Sequence, residues 1–147
     1  MIDDRDAPLA LGSQLAAAIA LLVLVTAIHA TALMLISSWR RIDDRALDRG
    51  HFTLNSLPLI AALLLALVAA HLVEIAVFAA FYRVLGGVRS IEEALFVSAA
   101  AYSTMGGPDG GPLRPWRLVI ALESLAGFVF ITWSTAFIVG IVERLRR

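Results

Sequence analysis

The stretch Ser90-Ile-Glu-Glu-Ala-Leu-Phe-Val-Ser-Ala-Ala-Ala-Tyr102 is followed at once by Ser103-Thr-Met-Gly-Gly-Pro-Asp-Gly-Gly-Pro112. The first part predicts a short helix over residues 90–102, because Ser90 and Glu93 have the spacing of a capping box. Acidic residues in the first turn also suit the positive end of a helix dipole. The second part, residues 103–112, is too rich in glycine and proline to continue as a helix. A short, mostly apolar helix therefore leads into a glycine-rich loop.

Long apolar stretches lie on both sides of this helix and loop. The stretch over residues 54–83 precedes it, the stretch over residues 116–147 follows it, and a further apolar run covers residues 9–39. Each is long enough to cross about 30 Å of hydrocarbon at a rise of about 1.5 Å per residue. The sequence predicts an all-α membrane protein that forms a single domain over residues 1–147. It has three transmembrane helices and, between the second and third, a re-entrant helix and loop; a simple extracellular hairpin is the alternative.

The composition of the 147 residues agrees with a chain surrounded by lipid. Hydrophobic residues make up 60% and charged residues 16%, against about 25% charged residues in soluble domains. Twelve acidic residues balance twelve basic ones, which argues against a nucleic-acid partner. The absence of cysteine excludes disulfides and thiolate metal sites. We expect no cofactor, and the lipid bilayer is the expected partner.

The arginine residues predict the orientation of the three spans. Seven of them lie in residues 40–55 and at the C-terminus, which share one side if the chain crosses three times, and five lie on the other side. The positive-inside rule therefore favours an N-terminus outside and a C-terminus inside the cell.

From Ile91 to Arg147 the chain resembles the pore domain of potassium channels. In that family a pore helix leads into a filter that reads Thr-Val/Ile/Leu-Gly-Tyr/Phe-Gly-Asp, and this chain has Thr104-Met105-Gly106-Gly107-Pro108-Asp109, followed by Trp116-Arg117. The tail from Leu125-Ala-Gly127 to Trp133-Ser134-Thr135-Ala136-Phe137 is similar to the inner helices of small bacterial members. Those members often carry a histidine in the first helix and His-x-x-Glu in the second, which His29 and His71-Leu-Val-Glu74 match.

The resemblance implies a homotetrameric ion channel with a selectivity filter, located as a multi-pass protein in a bacterial-type inner membrane. Residues 90–102 would be the pore helix, and backbone carbonyls of Thr104–Gly107 would replace water around monovalent cations. Gly107 and Pro108 replace the family's aromatic residue and second glycine, so potassium selectivity does not transfer. A protein with a channel fold that no longer conducts, and has a structural or interaction role, is the alternative. We expect no enzymatic activity.

Ionisable and hydroxyl side chains near the predicted pore helix form a second group of candidates. Glu74 and Glu123 are costly at membrane depth and need partners. We expect one or both to brace the pore helix through Ser98, Tyr102 or the glycine-rich backbone. His71 lies on the same helical face as Glu74, where the pair could sense pH or form a purely structural contact. Counting the rise per residue places His29 and His71 about 10 Å apart in depth, which argues against joint haem ligation.

The remaining candidates lie in the predicted filter and on the third helix. Thr104 is an inner ion site or a simple turn residue, and Asp109 is an acidic group at the outer mouth or an Asx-turn residue. Gly127 occupies the place of the family's hinge glycine or serves close helix packing. One helical face carries Ile131, Thr135 and Ile138 and is predicted to line a cavity below the filter, with lipid or helix contact as the alternative.

Overall fold

The fold consists of three long helices and one short helix. The computed structural model describes residues 11–47, 57–85, 87–107 and 111–145. Helix α1 covers Leu11–Leu47, α2 covers Leu57–Val84, α3 covers Ile91–Tyr102 and α4 covers Arg117–Leu145, and a 3-10 helix over Gly111–Trp116 precedes α4. No strand occurs within these ranges, so the predicted all-α class is confirmed.

Three helical segments are long and apolar enough to cross a membrane, as predicted. They are Leu11–Ser38, Leu57–Val84 and Gly111–Glu143. Only 22% of the residues in the most apolar windows of the first two segments are buried within the chain. The rest expose leucine, isoleucine, valine and alanine, which is the surface expected of helices that contact lipid.

Two helix boundaries lie several residues away from the predicted ones. Helix α1 continues past residue 39 to Leu47, through the arginine-rich segment that follows the apolar run. The expectation that residues 103–112 are entirely non-helical is wrong at its end, because the 3-10 helix begins at Gly111 and includes Pro112. Proline suits the first turn of a helix, where its missing N–H needs no partner. Pro108 and Asp109 lie outside the described residues.

Helix α3 begins where the capping pattern predicts. Ser90 has an extended backbone, with φ −113° and ψ 147°, and its hydroxyl oxygen accepts a hydrogen bond from the backbone N–H of Glu93 at 2.9 Å. The serine half of the predicted capping box is therefore confirmed. Such a cap contributes about 1 kcal/mol.

Helix α3 packs between α2 and α4, while α1 packs on the other side of the same pair. The larger of two apolar clusters surrounds α3. Its bulkiest buried members are the aromatic residues Phe78, Tyr82, Tyr102 and Phe130. The smaller cluster joins α1, α2 and α4 at the opposite end and contains Leu33, Leu63 and Ile141. The polar side chains described next lie within and beside the larger cluster.

Candidate functional site

Glu123 of α4 joins α3 to α2 through hydroxyl groups. Its Oε1 lies 2.5 Å from Ser98 Oγ, and its Oε2 accepts a hydrogen bond of 2.5 Å from the Tyr82 hydroxyl. Ser98 Oγ also lies 2.9 Å from the carbonyl oxygen of Ile75. Glu123 and Ser98 are fully buried. Two of the residues that the sequence analysis paired, Ser98 and Glu123, are thus in direct contact.

The hydrogens in this group can be counted. A serine hydroxyl has one hydrogen to donate, so Ser98 cannot donate to Ile75 and Glu123 at once. If Glu123 carries a proton on Oε1, it donates to Ser98, Ser98 donates to the Ile75 carbonyl, and Tyr82 donates to Oε2. A neutral Glu123 therefore satisfies all three contacts, which suits a carboxyl group buried among apolar side chains.

Glu74 of α2 lies at the centre of a second polar cluster. Its Oε1 lies 2.8 Å from Nδ1 of His29, and its Oε2 lies 3.2 Å from Nδ1 of His71 and accepts a hydrogen bond from the Tyr102 hydroxyl. The Tyr102 oxygen is also 2.8 Å from Nδ1 of His71, whose Nε2 lies 3.2 Å from Ser134 Oγ. This Glu74 cluster, comprising His29, His71, Glu74, Tyr102 and Ser134, joins all four helices.

Tyr102 remains a hydrogen-bond donor in this cluster. Helix α3 is not one of the three candidate membrane spans. Its last residue, Tyr102, is 2% exposed. Burial and the hydrogen bond to the Glu74 carboxylate raise the pKa of Tyr102 well above its ordinary value. The phenol therefore keeps its proton and ties the end of α3 to α2.

The depth estimate that separated His29 from His71 is wrong. The two imidazole rings are stacked, with centroids 5.5 Å apart. The estimate counted from helix ends assumed to be level, whereas Gln14 of α1 lies beside the start of α4, where its Oε1 accepts from the backbone N–H of Leu118. Both Nδ1 atoms face one carboxylate, an arrangement unlike two axial ligands on opposite sides of a haem.

Sequence reasoning missed the contacts of Tyr82, Ser134 and His29. Helical spacing carried a usable signal for two of them. Tyr82 follows Glu74 by two turns, and Ser134 follows Glu123 by three turns, so each lies on the same face as a buried carboxylate. Polar residues at such spacing within apolar helices point inward. No such spacing relates His29 to Glu74, because His29 is on a different helix.

The end of α3 is a Schellman motif with an unusual residue in it. The backbone N–H of Thr104 donates to the Ala101 carbonyl, and that of Met105 donates to the Ala100 carbonyl, both at 2.9 Å. Thr104 occupies the left-handed position of this motif, with φ 63°, where glycine is usual. Gly106 also has a positive φ of 97°. Met105, Gly106 and Gly107 are exposed, and Met105 is 83% exposed.

Gly127 lies where α4 approaches α3 most closely. A Cβ atom added at Gly127 would lie 2.1 Å from the carbonyl oxygen of Tyr102. This close approach explains the glycine by helix packing, which was the alternative to a hinge. The hinge role of Gly127 stays a prediction. At Gly107 an added Cβ would lie 2.5 Å from the Ile120 methyl group.

The predicted cavity residues of α4 border a groove against α2. The groove has a volume of about 270 Å³, and Ile131, Thr135 and Ile138 line it together with His71 and Ser134. The Thr135 hydroxyl donates to the carbonyl of Ile131 at 2.8 Å. The groove therefore connects the predicted cavity face with the Glu74 cluster.

Comparisons with known proteins identify no relative. No protein-family profile matches the chain, and no curated protein or solved structure matches it either.

Proposed function

We propose that the chain is one subunit of a homotetrameric, channel-like protein that conducts monovalent cations across a bacterial inner membrane. The observation that carries this proposal is the setting of α3. This helix of 12 residues lies between two helices long enough to span a membrane, and buried carboxylates of both helices hold it. An irregular, glycine-containing backbone follows it directly.

The mechanism is passive flow past the end of α3. The C-terminal end of a helix carries about half a negative charge, which favours a cation. Carbonyl groups of Thr104–Gly107 would then replace part of the ion's hydration shell. The positive φ of Thr104 and Gly106 supports this role, because such a backbone turns successive carbonyl groups in different directions. One loop cannot enclose a pathway, so several copies around an axis are needed, and the resemblance to potassium channels implies four.

The proposal includes a topology and a selectivity. The N-terminus lies outside and the C-terminus inside, so that α3 and its loop enter the membrane from the outer face. Irregular backbone at that depth is tolerated only beside protein or a water-filled cavity. Because Gly107 stands where the potassium-channel family has an aromatic side chain, discrimination between potassium and sodium is expected to be weak.

Single-channel recording tests conduction directly. Purified protein in planar bilayers should pass current under potassium and sodium gradients. Gly106→Ala should abolish or strongly reduce that current, because alanine is strained at φ 97°. Gly140→Ala on α4 is the matched control, since an added Cβ meets nothing within 4 Å there. Silence of the wild-type protein across potassium, sodium and chloride gradients would contradict the proposal.

A non-conducting protein with a structural or interaction role is the second candidate. The observation in its favour is the contact at Gly107, where an added Cβ would lie 2.5 Å from a methyl group of Ile120. The loop there rests on α4, and an aromatic residue at this position would have to displace the Ile120 side chain. A tetramer that is intact by native mass spectrometry but silent in the bilayer experiment would favour this candidate.

A further inference from the structure

We propose that His29, His71 and Glu74 bind a divalent transition-metal ion of the zinc class, between α1 and α2 beside the end of α3. Two imidazole nitrogens and one carboxylate converge there, and their ligand atoms all lie within 4.8 Å of one another. Nothing in the conduction mechanism above requires this site. It is a second, separate function of the same bundle.

The donor set and its spacing suit such an ion. Two histidines and one glutamate are the protein ligands of several zinc sites with an open fourth position. With bonds of about 2.1 Å, a tetrahedral ion separates its donors by about 3.4 Å. The Nδ1 atoms of His29 and His71 lie 2.8 Å and 3.2 Å from the Glu74 oxygens. The two distances are close to that value, and all three ligand atoms lie within 4.8 Å of one another, so the three side chains can approach a single ion.

The negative charge of Glu74 favours a bound cation at this site. Glu74 is fully buried in an apolar helix, where an ionised carboxylate needs a nearby positive charge. The ion-pair partners found for it among the described residues are His29 and His71. The chain contains no lysine. A divalent cation between the two imidazoles would place a positive charge beside Glu74 with both rings neutral, as metal ligation requires.

Neighbouring hydroxyl groups orient the ligands. Ser134 Oγ lies 3.2 Å from Nε2 of His71, so a proton on Nε2 can be donated to the serine, which leaves the lone pair of Nδ1 facing Glu74. Partners of this kind fix the tautomer of a ligating histidine. Tyr102 donates to Oε2 of Glu74, and its hydroxyl oxygen lies 2.8 Å from Nδ1 of His71, so it contacts two of the three proposed ligands.

One ligand of the site reaches the surface of the bundle. The His71 side chain is 17% exposed, whereas His29 and Glu74 are fully buried. The exposed edge of His71 belongs to the mainly apolar groove of about 270 Å³ between α2 and α4, beside Ser134 and Thr135. His71 is therefore the ligand through which an ion would first contact the site.

Titration of purified, chelator-treated protein with Co²⁺ tests the proposal, because tetrahedral Co²⁺ has intense visible absorption bands. The wild-type protein should show these bands, reach saturation at one ion per chain and lose the bands when Zn²⁺ is added. His29→Gln and His71→Gln should each weaken binding by more than the 10- to 100-fold that loss of an orienting partner typically causes. Ser134→Ala should weaken it by about 10-fold.

Matched controls remove a histidine and a carboxylate elsewhere. His51→Gln and Glu92→Gln should bind Co²⁺ as the wild-type protein does, Glu92 being exposed on α3. Size-exclusion elution and tryptophan fluorescence check the fold of each variant, and if the histidine variants misfold, Ser134→Ala decides. The proposal is overturned if wild-type protein shows no tetrahedral bands, or if the folded variants bind Co²⁺ unchanged. Both results are independent of conduction, which the bilayer experiment measures.

Discussion

At the scale of one residue, the buried carboxyl group of Glu123 requires hydrogen-bond partners for both of its oxygen atoms. All of its hydrogen bonds are satisfied when Oε1 carries one proton. Glutamine can reproduce that arrangement by donating to Ser98 and accepting from Tyr82. We therefore expect Glu123→Gln to keep the assembly and the thermal unfolding midpoint in detergent close to wild type. Glu123→Ala should lower stability by about 1–3 kcal/mol, since it leaves the buried Tyr82 hydroxyl unpaired.

Size-exclusion chromatography and thermal unfolding in detergent measure both effects. Glu92→Ala is the control, because Glu92 is exposed on α3 and its loss should change stability little. If Glu123→Gln destabilised the protein as much as Glu123→Ala, the carboxyl group would have to be ionised in the folded state, and the neutral hydrogen-bond role would be wrong.

Thr104 holds a backbone conformation that costs free energy. A β-branched residue at φ 63° is strained, by about 1–2 kcal/mol relative to glycine. Thr104→Gly should therefore raise the thermal unfolding midpoint, and in the bilayer experiment it should alter the current if the threonine hydroxyl contacts ions. Thr132→Gly in the interior of α4 should act in the opposite direction, lowering stability by about 0.5–1 kcal/mol. A Thr104→Gly variant less stable than wild type would contradict this account.

Residue patterns within one helix were more predictable than contacts between helices. The His71–Glu74 contact follows from a spacing of three residues, and Ser98 and Tyr102 were identified as partners of the carboxylates from their place on the short helix. His29 was misplaced in depth because periodicity reports the face of a helix and says nothing about how far one helix slides along another. Tertiary packing determines that offset, and in this chain the stacking of the His29 and His71 rings shows it.

At the scale of elements, the seating of α4 on α3 depends on Gly127. An added Cβ at this position would lie 2.1 Å from the Tyr102 carbonyl oxygen, and a backbone atom cannot move aside without displacing α3. We expect Gly127→Ala to separate the two helices and to lower stability by about 3 kcal/mol, the upper end of the range typical of an overpacked core. Thermal unfolding and the yield of monodisperse protein measure the effect.

Gly140→Ala is the matched control on the same helix. An added Cβ there meets nothing within 4 Å, and alanine is favoured over glycine in a helix by about 1 kcal/mol. This variant should be at least as stable as wild type. Equal stability of the two alanine variants would show that the close approach of α4 to α3 is not needed, and would favour the hinge interpretation of Gly127.

Element boundaries were predictable where side chains cap the backbone. Ser90 placed the start of α3 correctly because its hydroxyl oxygen replaces a missing helical acceptor. The end of α1 was not predictable from hydropathy, which falls at Arg40 although the helix continues to Leu47. Hydropathy reports where a chain leaves the apolar layer, and the backbone can remain helical beyond that point.

At the scale of the whole molecule, the proposed tetramer requires a contact surface between subunits, and α4 offers one. Its exposed side carries Thr132, Thr135 and Ala136 beside large residues such as Phe128 and Trp133, and small and hydroxyl-bearing residues are common where membrane helices pack together. Helix α2 contains no serine or threonine, and its exposed side carries alanine and large aliphatic residues such as Leu72, which suit lipid. Ala136→Trp should therefore break the tetramer, whereas Leu72→Trp should be tolerated. Native mass spectrometry of four 15.8 kDa chains measures this, and a tetramer that survives Ala136→Trp would move the interface away from α4.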